Sequence, residues 1–292
     1  MTELYPAALS FVEQRVASER EVCQFLGIAR TALQRWKGFH LSPRKLDDQK
    51  LEPLVTKLFH HHKSRYGTRR LRAELSDLGQ AVGRRRVGRL LRNAGLSAIQ
   101  PSSFKPRTTD SRHRLGYSPN LILELKEIAA PNHLWVGDIS YLPVRGMPFA
   151  YLAVLMDRCS RKIIAWQIRA DMTEGLVIPA LRHAIKSRKP AEGLIHHTDR
   201  GGQYAATTYR QILLRAGIQQ SMSRANECYD NAFMESCFGT IKTELQMTEY
   251  PNYQDAEKEI ATYVNYYNFQ RKHSALGYQT PNEFEIAFFK KS

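Results

Sequence analysis

The period of the apolar residues changes near residue 131, and that change limits the fold more than any other feature of the chain. "HLWVGDISYLPV" (133–144), "PFAYLAVLMD" (148–157) and "RKIIAWQIRA" (161–170) read as three strands at hairpin spacing, with Gly146 and Ser160 near the turns. A helical period follows in "GLVIPALRHAIKSR" (175–188), then a short apolar strand in "GLIHHTD" (193–199). "TTYRQILLRAG" (207–217) predicts a helix, "IQQSMS" (218–223) a strand, and "YDNAFMESCFGTIKTELQ" (229–246) a longer helix. Three hairpin-linked strands followed by alternating helix and strand describe an α/β fold with a mixed sheet and helices on its faces.

The first half has no such pattern. In "SEREVCQFLGIARTALQRWKG" (18–38), Ser18 and Glu21 fit a capping box, Val22, Phe25 and Leu26 should line one apolar face, and Gly27 can take a turn. A second short helix beginning near Arg30 completes a helix-turn-helix, whose second helix would enter a major groove. An ordinary αα-hairpin gives the same pattern. "SRYGTRRLRAELSDLGQAVGRRRVGRLLRNAGL" (64–96) repeats the arrangement with Arg69 and Arg70 in its first helix. Leu71, Leu75 and Leu78 form one stripe and Val87, Leu90 and Leu91 another, and Gly95 suits a helix C-terminus. Arg84, Arg85, Arg86, Arg89 and Arg92 fall within three turns with no acid between them. A solvated face is the bland explanation of such a run, and phosphate contact the better one. His60, His61 and His62 are neighbours along a helix and do not share one face, so a surface or phosphate-facing role is expected rather than a metal site.

Charge follows the same division. The 292 residues carry 43 Lys+Arg against 28 Asp+Glu, a formal net charge of +15. Residues 60–116 hold 14 basic and three acidic side chains, whereas 131–250 hold 14 and 11. A chain this basic points to a polyanionic partner, most often nucleic acid. No run of about 18 apolar residues suggests a membrane span, and the first 20 residues do not read as a signal peptide. The four cysteines, 23, 159, 228 and 237, contain no Cys-x-x-Cys pair, which disfavours a zinc ribbon or redox motif and fits reduced thiols in a cytoplasmic protein.

Within the sheet-forming block, acids stand where elements end or can converge. Asp138 lies within or at the end of the first strand, Asp199 ends the fourth, and Glu235 lies on the last helix. Three carboxylates on three elements can form one site for hard divalent ions, which take oxygen ligands. Such ions support in-line displacement at phosphorus. The block has 11 acids, so a triple of this kind also arises by chance. The spacing of Asn231, Glu235 and Lys242 by four and seven puts them on one helix face, with Lys242 about 10 Å beyond Glu235. An ammonium there suits a phosphodiester, while a solvated Glu and Lys is the common alternative. Gly201 and Gly202 let a backbone pass close after Asp199.

These segments carry a resemblance. "W-x-x-D-I" (135–139), "HHTDRGGQY" (196–204) and "NAFMESCFGTIK" (231–242), with 35 residues between Asp199 and Glu235, resemble the three catalytic motifs of DDE transposases of the retroviral-integrase superfamily. "YNFQRKHSALGYQTP" (267–281) is similar to the signature closing the catalytic region in the insertion-sequence-three family, and "SRYGTRRLRAEL" resembles that family's second helix-turn-helix. The resemblance implies an RNase H-like integrase core preceded by all-α helix-turn-helix DNA-binding domains. It implies Asp138, Asp199 and Glu235 as catalytic ligands of magnesium (or manganese), two ions per site, with Lys242 near the DNA. The implied reaction is cleavage at the ends of a mobile element, then attack of the freed 3′-hydroxyl on another phosphodiester. Arg271 and His273, from the closing signature, would contact DNA or brace the active-site helix. Asp157 also matches a family position and reads as a structural or turn residue. The His-His-Cys-Cys zinc module of retroviral integrases is not visible.

The boundaries expected are 1–45 for a helix-turn-helix segment, 46–98 for a basic helix-turn-helix domain, 99–130 for a linker, 131–250 for the core and 251–292 for a C-terminal helical segment. Expected DNA contacts are Arg30, Arg69, Arg70, Arg84, Arg85, Arg86, Arg89, Asn231, Lys242, Arg271 and His273. Expected partners are the double-stranded terminal inverted repeats and target DNA, further copies of the chain, and an upstream-frame protein or fusion, with no membrane. A structure-selective nuclease, or a regulator that only binds DNA, would share many of these features.

Overall fold

The structure, a computed structural model, describes residues 4–38, 43–101, 116–123, 125, 128–147, 149–224, 232–247 and 249–291. The chain divides into two compact units, Met1–Ser97 and Ala98–Ser292. The five segments expected from the sequence thus group into two.

The first unit is all helical: α1 (Leu4–Glu13), α2 (Glu19–Phe25), α3 (Arg30–Lys37), α4 (Pro43–His61), α5 (Thr68–Asp77) and α6 (Arg84–Asn93). The capping box that starts α2 is present, with the Ser18 amide donating to Glu21 Oε2 at 2.8 Å and the Glu21 amide donating to Ser18 Oγ at 3.3 Å. Gly27 makes the following turn at φ +63°. Ala8, Val22, Cys23 and Leu33 form a small core for α1–α3. Phe25, expected beside Val22 on the buried face, instead points to solvent with 87% exposure. It is the last residue of a seven-residue helix, so the chain turns at Gly27 before another element covers it.

Leu71 and Leu75 of α5 and Val87, Leu90 and Leu91 of α6 are buried as their spacing predicted, together with Leu51, Val55 and Phe59 of α4. Leu78 is the exception. It forms the C-cap of α5 and is exposed. Gly95 follows the last turn of α6 at φ +67°, and the Leu96 amide reaches back to the Leu91 carbonyl at 2.8 Å. His62 overturns the surface role given to the histidine triplet. It is buried, stacked on Tyr66 at 3.7 Å between ring centres, and 3.6 Å from Glu74. His60 and His61 remain exposed.

The second unit holds a five-stranded sheet in the order β3-β2-β1-β4-β5. The strands are β1 (Leu134–Leu142), β2 (Ala150–Asp157), β3 (Ile163–Arg169), β4 (Ile195–Thr198) and β5 (Gln219–Met222). β1, β2 and β3 pair antiparallel, while β4 is parallel to both β1 and β5. The helices are α7 (Glu174–Arg188), α8 (Gly202–Ala205), α9 (Thr207–Arg215), α10 (Ala232–Glu244), α11 (Tyr253–Phe269) and α12 (Pro281–Lys291). The main core joins Trp135 and Leu155 of the sheet to Leu176 and Leu181 of α7, and to Tyr204, Tyr209 and Met222. β2 is buried at seven of its eight positions, as expected of a strand covered on both faces.

Two stretches are tied down more firmly than the sequence suggested. Residues 116–121, inside the expected linker, lie along β5: Ser118 Oγ donates to Gln220 at 2.8 Å, the Leu121 amide to Ser221 Oγ at 2.9 Å, and the Met222 amide to the Pro119 carbonyl at 3.3 Å. The segment after 250 belongs to the core unit. On α12, Glu285 is buried and accepts from Arg188 at 2.6 and 2.9 Å, Lys162 at 3.0 Å and Ser160 at 2.8 Å.

Candidate active site

β1 and β4 place the two aspartates. Their parallel pairing runs Leu134↔Ile195, Trp135↔His196, Val136↔His197. Asp138 lies two residues beyond the last of these pairs on β1, and Asp199 directly follows the end of β4. Close approach there depends on Gly137, where a Cβ would lie 3.0 Å from the His196 ring. After β4 the chain turns sharply, and the Gly201 amide donates back to Asp199 Oδ1 at 2.9 Å. Asp138 Oδ1 accepts from the Ile139 amide at 2.8 Å.

The two histidines before Asp199 fix the strand. His196 Nε2 meets the Tyr209 hydroxyl at 2.7 Å, and burial pulls its pKa down to about 4, so it is neutral at pH 7. His197 lies between Ser221 Oγ (2.8 Å) and Ser223 Oγ (3.2 Å). Both rings are buried and tie β4 to its neighbours α9 and β5.

Glu235 comes from the first turn of α10, the helix that packs on β1. Asp138 feels all the others. Burial, then the Asp199 charge, and also Glu235 drive its pKa well above the usual carboxylate value, while Lys242 acts in the opposite sense. Lys242 is half-buried, and burial lowers its pKa against the pull of Asp138. Tyr204, which the sequence reading did not single out, is fully buried beside this group. Its pKa is raised by burial first and by Asp138 next, with Asp199 adding to it.

The three acids interact but are not gathered tightly. Among the described residues, no three His, Cys, Asp or Glu side chains are grouped so as to hold one metal ion. Like charges in a buried setting repel, which accounts for carboxylates that sense one another without closing up. Their chemistry fits hard divalent cations. Asn231 lies outside the described residues.

The far end of α10 is bolted in place. Glu244, its last residue, accepts from Arg271 Nε at 2.9 Å and Nη2 at 2.8 Å, and from the Tyr263 hydroxyl at 3.0 Å. Arg271 and Glu244 are both buried. Of the two roles open to Arg271, the structure supplies the brace, which corrects its assignment as a DNA contact. His273 lies against it, 3.1 Å from Nη1, and extends that brace. Asp157 is structural, as expected. It is buried and accepts from the amides of Asn132 (2.6 Å), Cys159 (3.0 Å) and Ser160 (2.8 Å).

The basic candidates of the first unit separate into two sets. Arg69 on α5, and Arg84 and Arg85 in the first turn of α6, are exposed. Arg86 and Arg89 are half-buried and paired within the unit. Arg86 pairs with Asp47 and Asp48 of α4, and Arg89 with Asp48, all at 2.7 Å. Their donors, Arg89 first and then Arg86, hold Asp48 below its usual pKa. Arg70 is half-buried, 5.5 Å over the Tyr66 ring. Arg30 is 65% exposed but touches Glu19 at 3.2 Å.

Comparison with known proteins agrees with this construction. Residues 129–228 match the family "Integrase core domain", residues 216–281 match a second family of that description, and residues 45–104 match an "HTH-like domain". A 31 kDa protein of insertion element IS600 from Shigella sonnei is 40% identical over 266 residues, 90% of this chain and 97% of that one. The transposase of insertion sequence IS904 from Lactococcus lactis is 37% identical, covering 84% of this chain and 96% of the relative. The transposase InsF of IS3A from Escherichia coli K12 is 36% identical over 94% of this chain and 97% of the relative. The chain belongs to the insertion-sequence transposases, with an integrase core behind a helix-turn-helix-like domain.

Proposed function

We propose that this transposase cuts and joins DNA at a site made by Asp138, Asp199 and Glu235. These carboxylates would hold divalent ions, magnesium or manganese, two per site. Bound there, the ions supply Lewis-acid activation of phosphodiester displacement. The protein's own part is positioning. β1 carries Asp138, Asp199 follows the neighbouring β4, exposed Glu235 stands in the first turn of α10, which packs on β1, and Lys242 would offer an ammonium to the phosphodiester. The reaction is cleavage at the element ends followed by attack of a 3′-hydroxyl on a second phosphodiester.

The observation that carries this reading is the electrostatic state of Asp138. A half-buried carboxyl pressed by two more acids is costly unless cations or protons relieve it. Arg84 and Arg85 support DNA binding by the first unit, because cations in a helix's first turn oppose its dipole and gain from an anionic partner. Double-stranded DNA, including terminal inverted repeats and target DNA, is the partner proposed. Further copies of the chain and an upstream-frame protein complete the assembly. The site of action is the cytoplasm, and no helix among the described residues is long and apolar enough to cross a membrane.

The test is strand joining in magnesium with Asp138→Asn, Asp199→Asn and Glu235→Gln proteins, alongside affinity for terminal DNA. Joining should be lost and binding kept. Wild-type joining by Glu235→Gln would remove that residue from the site, and binding without joining by the wild-type chain would favour the regulator instead.

A further inference from the structure

We infer that Arg158 and Arg161, on the turn between β2 and β3, clamp a phosphate of the DNA strand that runs into the acid site. The two guanidinium groups share one platform: Arg158 Cζ lies 3.2 Å and Arg161 Cζ 4.6 Å from the centre of the Phe233 ring. Phe233 is the second residue of α10, two before Glu235, so the helix that carries the acid also carries the platform.

The turn beneath them is rigid. Asp157 gathers the Cys159 and Ser160 amides, its own amide donates to the Lys162 carbonyl at 2.9 Å, and Ser160 is tied to Glu285. The Arg158 amide donates to the Leu134 carbonyl at 2.9 Å. Leu134 is four residues before Asp138 on β1, about 13 Å at about 3.3 Å per residue. That span is roughly four base pairs of rise along the axis of a DNA duplex.

Three features mark this pair. Arg86, Arg188 and Arg271 each meet a carboxylate. Arg158 and Arg161 are half-buried with no carboxylate partner among the described residues, and Arg158 Nε is buried with no hydrogen-bond partner. Arg158 is burdened by its neighbour. Burial first, and then the Arg161 charge, lower the Arg158 pKa to about 10. Finally, Arg161 sits at φ +61°, a conformation that costs a non-glycine residue of order 1 kcal/mol or more and is retained where the side chain is used. One arginine or a leucine would cover Phe233 as well. A second cation in a strained position is explained by an anion that both forks grip, and guanidinium geometry suits phosphate oxygens.

Glycine at 161 removes the guanidinium and relieves the backbone at once. The experiment measures affinity of the full chain for a long mixed-sequence duplex, in EDTA, as a function of salt. Arg161→Gly should keep or raise the thermal midpoint while the log–log salt slope becomes shallower by about 0.9, the release expected for one lost phosphate contact. Arg158→Gln with Arg161→Gly should flatten the slope no further, because both guanidinium groups grip the same phosphate, and Arg161→Lys should restore most of it. Slopes equal to wild type in both glycine variants would overturn the clamp, whatever happens to stability. The proposal rests on the acids as the reaction site, but the two fail separately. The slope is read without chemistry, whereas joining by Glu235→Gln bears on the acids alone.

Discussion

Asp138 shows how one residue combines the cost and the use of the site. Its folded pKa is raised, so its contribution is complete below the unfolded value and is lost as pH rises through the folded one. In metal-free protein at pH 7, Asp138→Asn should therefore raise the thermal midpoint, with the gain shrinking as pH falls from the raised folded value toward the ordinary carboxylate range and absent below it. A lowered midpoint would show that the charge is not under strain. Glu19 is the opposite case. Lys37 at 2.6 Å and then Gln34 draw its pKa down from 4.5 to about 2. Its contribution to the α2–α3 pair is full above about pH 4.5 and disappears as pH falls toward 2. NMR thermal melts of residues 18–38 should show Glu19→Gln weaker than wild type at pH 7 and equal to it near pH 2.

At the scale of elements, α6 and α10 each do two things. α6 turns Arg86 and Arg89 inward to Asp48 and leaves Arg84 and Arg85 outside. Arg84→Gln with Arg85→Gln should flatten the salt slope of DNA affinity by about 1.8 with the thermal midpoint of the first unit unchanged. Arg86→Gln should lower that midpoint with less effect on the slope. Equal behaviour of the two variants would erase the distinction. The arginine run was legible in the sequence, but the division within it was not, because Asp47 and Asp48 lie on another helix. For α10, breaking the buried Glu244–Arg271 pair leaves an uncompensated charge at the end of the helix. Arg271→Gln should cost about 3–5 kcal/mol in denaturant unfolding, a loss that a DNA-contacting arginine would not produce.

Across the core unit, the C-terminal helices are hydrogen-bonded to the sheet and to its β2–β3 turn. Glu285 on α12 links the β2–β3 turn, through Ser160 and Lys162, to α7 through Arg188. Removing residues 281–292 should therefore destabilise the whole sheet, seen as a single earlier transition for the core in thermal melts. A core melting as before would make α12 an appendage, as the boundary expected at 250 implied.

Local pattern determined much of this protein. Period and turn residues carried the strands, most helices and the capping box at Ser18, because these depend on neighbours within a few positions. The motifs around Asp138, Asp199 and Glu235 pointed to three acids on three elements. Only the tertiary structure decided which charges are satisfied from within. Arg86 on Asp48, Arg271 on Glu244 and His62 on Tyr66 are spent inside the fold, while Arg158 and Arg161 meet with no carboxylate partner among the described residues. The physical reason is that burial and pairing are set by side chains brought from distant elements, and the energy of a charge depends on those neighbours more than on its own place in the sequence.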